Sequence, residues 1–372
     1  MKTEHKIIVY ILAIFSHLNS QQILNADPFN LLINENNNAI KEDYSYSFLL
    51  RPYFFKSYDN RWSLIITNEY FYNDNTPNLE NMGNKWLGKG SAIFSGLNLS
   101  YISEYFYFSL EPYYYFNENH FVKNTKRPAT QNADPDVFNV LNDNRYFHEN
   151  PYISYGLRES SFILKFKNIG IGISNSNMWW GPGMHSSLQM SNNTSGFRYF
   201  TFGTIGEKKI RKFGFDIRYI FSPMDDKNIG KPYFSSLLFS TTFYSNPQFT
   251  FGFSRSYLSG HGTAKPTNWS YISLKDAMML PFGDLFLSEK QKDPDNPESA
   301  VDLWDEILVG YLIASFPRSG LKIYVEYGRD DHAWDWDDFS RQPDHSGASI
   351  IGLRKYGLFG NSNLVGGLEY IS

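Results

Sequence analysis

Residues 213–219 read FGFDIRY, and the alternation within them decides what kind of fold this chain can adopt. Successive side chains of an extended strand point to opposite faces. Phe213, Phe215, Ile217 and Tyr219 therefore share one side, and Gly214, Asp216 and Arg218 share the other. One greasy side and one polar side is the pattern of a half-buried strand. The rhythm recurs outward from there. In 162–167, Phe162, Leu164 and Phe166 oppose Ile163, Lys165 and Lys167; in 249–254, Phe249, Phe251 and Phe253 oppose Thr250, Gly252 and Ser254. In 322–327, Ile323, Val325 and Tyr327 oppose Lys322, Tyr324 and Glu326, and in 44–52 Tyr44, Tyr46, Phe48 and Leu50 oppose Ser45, Ser47 and Arg51. Roughly fourteen to sixteen such segments are expected, many near the ~10 residues that a tilted membrane strand needs.

Composition agrees with β-structure of this kind. Aromatic residues make up 18% of the 372 residues, with Phe 32 and Tyr 27, while hydrophobic residues reach 42%. Soluble cores lean on Leu, Val and Ala, whereas here Tyr and Phe are interleaved with Asn, Ser and Gly. A formal net charge of -4 offers no basic field for nucleic acid. The absence of cysteine excludes disulfide frameworks, thiolate metal sites and cysteine nucleophiles.

Two architectures accept two-faced strands: a soluble sandwich, with apolar faces turned inward, and a membrane barrel, with apolar faces toward lipid and polar faces toward a wet interior. Three features favour the barrel. The polar faces carry Arg, Lys, Asp and Glu beside Gly and Ser. Aromatic clusters such as Tyr70-Phe71-Tyr72 and Tyr113-Tyr114-Tyr115-Phe116 stand at strand ends, as an interfacial girdle would. The N-terminus reads as an export signal: Lys2 and Lys6, the apolar run Ile7–Phe15, then small Ser20. An exported chain without a spanning helix enters a membrane only as a closed barrel. We therefore expect a signal peptide over 1–20, cleaved near Ser20–Gln21, with no lipoprotein cysteine after it, and one all-β antiparallel outer-membrane barrel over 21–372 with minor helical or plug elements. Long polar loops are expected at 117–150 and 258–304. Residues 299–308 could open helically, or strand could run from Asp305 to Phe316.

Several motifs point to chemistry without completing it. Gly83 to Gly90 (GNKWLGKG) nearly matches a phosphate-binding loop, but Gly90 stands where a Mg²⁺-binding Ser or Thr is needed, so a turn is expected. Asp330, Asp331, Asp335, Asp337 and Asp338 cluster with His332, but the spacing is not that of an EF-hand, and a solvated acidic loop is expected. Glu326 and Asp330 could form a carboxylate pair of the kind that cleaves glycosides, yet a β-protein with 38 acidic residues yields such pairs by chance. No Gly-x-Ser-x-Gly elbow and no His-Glu-x-x-His occurs. No enzyme activity, metal or cofactor is expected.

The remaining motif is Trp179-Trp180-Gly181-Pro182-Gly183. Proline fixes φ and the glycines admit φ > 0, so this is a tight turn that holds two indoles in set directions. Three readings stand open: a platform for sugar rings, with Asn192, Asn193 and Arg198 as polar contacts; a membrane-interface tryptophan pair; or a wedge plugging the interior.

The segment KNIGIGISNSNMWWGPGMHSSLQMSNNTSGF (167–197) resembles the signature of the Wzi family of capsule assembly proteins, in which a strand is followed by Trp-Trp-Gly-Pro-Gly, a Ser-containing stretch and Ser-Asn-Asn. YVEYGRDD (324–331) is similar to a second segment of that family. The resemblance implies an outer-membrane barrel of eighteen antiparallel strands with a small periplasmic helical element, acting as a lectin that binds exported capsular polysaccharide. On the motif, Trp179, Trp180, Gly181, Pro182, Gly183, Ser191, Asn192 and Asn193 match, as residues that contact glycan or shape the lumen. Against that pattern the strand count falls short, about 14–18, and the chain ends without a terminal aromatic, so missing C-terminal strands are expected. The expected function is to bind capsular or extracellular polysaccharide and anchor it at the surface of a Gram-negative cell, as a monomer, in contact with outer-membrane lipid and polysaccharide export machinery. Glu326, Asp330 and Asp331 are expected as lumenal carboxylates. The alternatives are a diffusion channel and, third, a secreted glycan-active enzyme.

Overall fold

The computed structural model describes residues 23–24, 26–40, 47, 49–54, 62–74, 77, 80–121, 150–193, 195–224, 232–260, 272–283, 290–292, 300–302, 304–330 and 347–372. The signal segment, Asp331 with the acidic run to Asp338, and most of the two long loops lie outside the described residues.

The chain opens with β1 (Ile23–Leu24), helix α1 (Pro28–Ile40), β2 (Leu50–Arg51) and β3 (Tyr53–Phe54). The wall follows: β4 (Trp62–Asn73), β5 (Gly90–Ile102), β6 (Phe106–Asn117), β7 (Tyr152–Phe166) and β8 (Ile169–Ser174). The short β9 (Trp179–Trp180) leaves the wall, which resumes with β10 (Tyr199–Thr204), β11 (Lys208–Ile210), β12 (Phe213–Pro223), β13 (Tyr233–Phe243) and β14 (Gln248–Ser259). Helix α2 (Leu274–Gly283) and the hairpin β15 (Lys290–Lys292) and β16 (Ala300–Asp302) precede β17 (Trp304–Phe316), β18 (Leu321–Asp330), β19 (Gly347–Tyr356) and β20 (Val365–Ile371).

One 14-stranded sheet contains the wall, in the order β20-β19-β18-β17-β14-β13-β12-β10-β8-β7-β6-β5-β4, with β11 also on β12. Every pairing in it is antiparallel, for example Ile217 opposite Phe239 and Val325 opposite Ile351. The greasy sides face out: Phe213, Phe251 and Ile323 are 47%, 52% and 40% exposed, whereas Asp216, Arg218, Ser254 and Glu326 are buried. Among the described residues no second sheet is stacked on these aromatics, as a sandwich would require. The pairing order among the described residues runs from β20 to β4 without joining them. Even so, one residue is reached from both sides: the His185 carbonyl accepts from Asn81, in the connection between β4 and β5, and the His185 amide donates to Glu369 on β20. The sheet is therefore curled around residues 177–193. Short turns (103–105, 167–168, 211–212, 244–247, 317–320) close one end, and the long connections lie at the other.

Two expectations are corrected and one open reading is resolved. Of residues 44–52, positions 44–46 and 48 lie outside the described residues, and the rest do not join the wall: Leu49 and Leu50 are both buried inside, and Leu50–Arg51 pairs with Trp180–Trp179. Of the two readings of 299–308 the strand holds, as β17 (Trp304–Phe316), and the described helix in that loop is α2, started by Ser273, whose Oγ accepts from the Asp276 amide and donates to its carboxylate. It lies on the outside of the wall, with Ala277 and Leu280 over Tyr219, Phe221, Tyr257 and Trp304. Nor is the interior simply wet. Leu49, Leu50 and Trp180 pack with inward-facing Ile220, Leu238, Val309, Ile313 and Ile350 into a lumenal core. Apolar residues interrupt the polar faces where the chain's own segments fill the barrel.

Candidate functional site

The motif turn enters the lumen from the long-loop end. Trp180 bridges Met190, and its neighbour Gly181 donates its N–H to the Leu49 carbonyl at 2.9 Å. The turn comes to rest on two carboxylates of the wall. Glu326 accepts from the amides of Gly183 and Leu188, both at 3.1 Å. Glu369 accepts from Met184 at 2.9 Å, His185 at 3.0 Å and Ser186 at 3.3 Å, and from the Tyr324 hydroxyl at 2.6 Å. Successive amides of a turn form a concavity lined with donors, and here the acceptors are carboxyl side chains of the barrel itself. Trp179 and Trp180 are 0% exposed. Arg51 lies over the Trp179 ring at 4.9 Å and donates to the Gly181 carbonyl at 3.4 Å. The indoles present no open face to a sugar ring; their placement is that of the internal wedge.

From the short-turn end comes α1. Asp27 and Pro28 open it, an N-cap residue followed by a proline at the first helical position. Its Asn-rich sequence has modest helix propensity, so burial must hold it. Its one charged side chain, Glu35, meets Lys322, the Arg354 guanidinium (Nε at 3.0 Å, Nη2 at 3.2 Å) and the Tyr356 hydroxyl. Arg354 also donates through Nη1 to the Pro182 carbonyl at 2.7 Å. One buried guanidinium thus fastens both plugs, a fork geometry that lysine cannot reproduce.

Burial alone would raise the Glu35 carboxyl, but the cations of Arg354 and Lys322 outweigh it and hold the group at about 2, below its ordinary 4.5. A depressed acid contributes stability above its unfolded value and loses it as pH falls through the folded one. The seat of α1 should therefore be intact at pH 7 and weaken between about 4.5 and 2, by roughly 3 kcal/mol. The chain has no cysteine, and Ala26 is 2% exposed. An Ala26→Cys reporter should label slowly at pH 7 and quickly after a shift to pH 2 and back under reagent. Adding Glu35→Gln should give fast labelling at every pH; a Glu35→Gln chain that protects the thiol like the parent would refute the assignment.

The sequence-derived candidates divide by place. Trp179 to Gly183 and Glu326 meet in the lumen. Asn192 donates to the Asn81 carbonyl at 2.9 Å and accepts from Asn177 at 2.6 Å; the Asn193 side chain accepts from the Asn81 amide at 2.8 Å. This asparagine knot ties the motif loop to the segment after β4. Ser191 is half-buried beside it. Asp330 is exposed at the end of β18, away from the knot, and Arg198 is exposed on the outer side of the wall. At the long-loop end the knot leaves Asn193, His185 and Glu80 exposed, with His185 Nε2 2.7 Å from the Glu80 carboxylate. Sequence reasoning missed Glu35, Arg51, Arg354 and Glu369. The one usable signal was Glu35, a single charge in an Asn-rich segment.

No family model and no curated protein matches the chain. Among solved structures it is similar to Wzi of Escherichia coli, an outer-membrane protein involved in group 1 capsule assembly and a carbohydrate-binding β-barrel, with 11% identity, 92% of this chain and 69% of that one covered, and a TM-score of 0.52. It also aligns with the FrpB iron transporter of Neisseria meningitidis (11% identity, 82% and 46% covered, TM-score 0.30) and with OmpF of Salmonella typhi (9%, 84% and 89%, 0.31). At such identity the likeness to Wzi is one of fold: this chain is a β-barrel of the outer-membrane type.

Proposed function

We propose that this chain resides in the outer membrane of a Gram-negative bacterium, where it binds capsular or extracellular polysaccharide at its long-loop end and holds it at the cell surface without changing its bonds. Long loops outward and short turns toward the periplasm is the ordinary sense of such barrels. The observation that carries the reading is a lumen entered from both ends by the chain's own segments, pinned at Glu326, Glu369 and Arg354. A diffusion channel has no use for segments packed across its lumen. A surface receptor does, because they turn the barrel into a rigid base for exposed amide and imidazole groups such as Asn193 and His185, which suit sugar hydroxyls. The fold shared with a carbohydrate-binding barrel supports the same reading. Each contact would be weak, and a polymer that makes many of them gains by avidity.

Deleting the locus in a capsulated host should leave polysaccharide made but shed into the medium. Restoring the chain should return it to the cells, and a combined Asn193→Ala, His185→Ala chain should return several-fold less. Unchanged attachment after deletion would reject the proposal.

A further inference from the structure

Two strands of the wall are much shorter than their neighbours. β8 and β10 have 6 residues each, between β7 with 15 and β12 with 11. The wall is notched above Ser174 and Tyr199, and a groove of about 690 Å³ lies there, within the ~300–1,000 Å³ of small-ligand clefts. Its lower border is set by register. Phe108 pairs with Phe162, Phe162 with Ile173, Ile173 with Phe200, and Phe200 with Phe221, so one apolar row crosses five strands on the outer face. Above the row the lining turns polar, with Ser160, Asn175 and Arg198. Arg198 stands two residues from Phe200 and so on the same face. It is exposed, and among the described residues no ion pair is recorded for its guanidinium.

An apolar trough on a lipid-facing wall, with one unopposed cation at its polar edge, matches an amphiphile with an anionic head. We propose that the groove holds one anionic lipid of the surrounding membrane, its acyl chain across the Phe108–Phe221 row and its phosphate at Arg198. The charge selects the head group, since a zwitterionic lipid brings its own cation to the same place. The inference rests on the barrel's place in a membrane and not on polysaccharide binding, and its test contains no polysaccharide.

The full chain is purified in neutral detergent and reconstituted in nanodiscs of equal parts phosphatidylglycerol and phosphatidylcholine, and the lipids retained are counted by native mass spectrometry. The parent should retain one phosphatidylglycerol in preference to phosphatidylcholine. Arg198→Gln should lower that preference about tenfold, Arg198→Lys should keep most of it, and Phe200→Ala should reduce retention of either lipid. The thermal transition of each variant shows that the barrel is intact. An Arg198→Gln chain as selective as the parent would overturn the proposal. So would displacement of the lipid by glycerol phosphate, which would mark a site for free phosphate.

Discussion

Replacing Arg354 with methionine is expected to convert a plugged barrel into a conducting one and to cost ~3–5 kcal/mol, the usual penalty for stranding one member of a buried ion pair. Arg354 is 2% exposed and points in three directions at once: to Glu35 of α1, to the Pro182 carbonyl of the motif turn, and across the Tyr324 ring at 4.6 Å. Methionine fills much of the volume and supplies none of the donors. Glu35 would keep only Lys322 and Tyr356, and the Pro182 carbonyl would lose its donor. Single-channel recording in planar bilayers should show little conductance for the parent and frequent openings for Arg354→Met, with a lower thermal midpoint. Glu35→Gln combined with Arg354→Met should cost less than the sum of the two, because the residues share one contact. If Arg354→Met stays closed and melts with the parent, the Trp180 and Leu49 packing holds the plugs unaided and the pin is unnecessary.

The wall was legible because a membrane strand writes its environment twice, once on each face. FGFDIRY places Asp216 and Arg218 inside and Phe213 and Ile217 outside by parity alone, and the structure agrees. Parity fails where a segment has both faces buried. Leu49-Leu50-Arg51 carries an alternation that resembles a wall strand, yet it pairs with Trp180–Trp179 inside the lumen, where every side chain meets protein. The motif turn was legible as a turn, since Gly-Pro-Gly admits little else. Its seat was only half legible. Glu326 falls on the inner face of β18 by alternation, but nothing in sequence says that its partners are backbone amides of residues 183 and 188. Glu35 and Arg354 lie 319 positions apart, and one sequence alone carries no signal for such a pairing. Helix α2 was missed for a different reason. Its capping residues Ser273 and Asp276 were readable, but they sit in a long polar loop where no strand rhythm drew attention to them.

Gly183→Ala should unseat the motif turn with one methyl group. A Cβ built on Gly183 would lie 2.1 Å from the Ser186 carbonyl oxygen, a backbone atom inside the same tight turn, and 3.2 Å from Glu326 Oε1. The first contact cannot be relieved by rotating a side chain, so the turn must open, and the amide bonds of residues 183 and 188 to Glu326 go with it. Gly181 is constrained differently: its φ of 150° is disfavoured for other residues, and a Cβ there would meet the Glu326 carboxylate at 2.3 Å, a side-chain group rather than a backbone atom. Gly357 is the control. Its φ of 66° brings strain of ~1–2 kcal/mol to an alanine, but nothing lies within 4 Å of the added carbon. If closure of the lumen depends on the seat, Gly183→Ala should raise bilayer conductance and shift tryptophan emission to the red as Trp179 and Trp180 meet water. Gly181→Ala should do the same more weakly, and Gly357→Ala should lower the melting point while leaving conductance and emission unchanged. A Gly183→Ala barrel with parental emission and no conductance would mean that the turn does not bear on its carboxylates as described, and that Trp180 closes the lumen by packing alone.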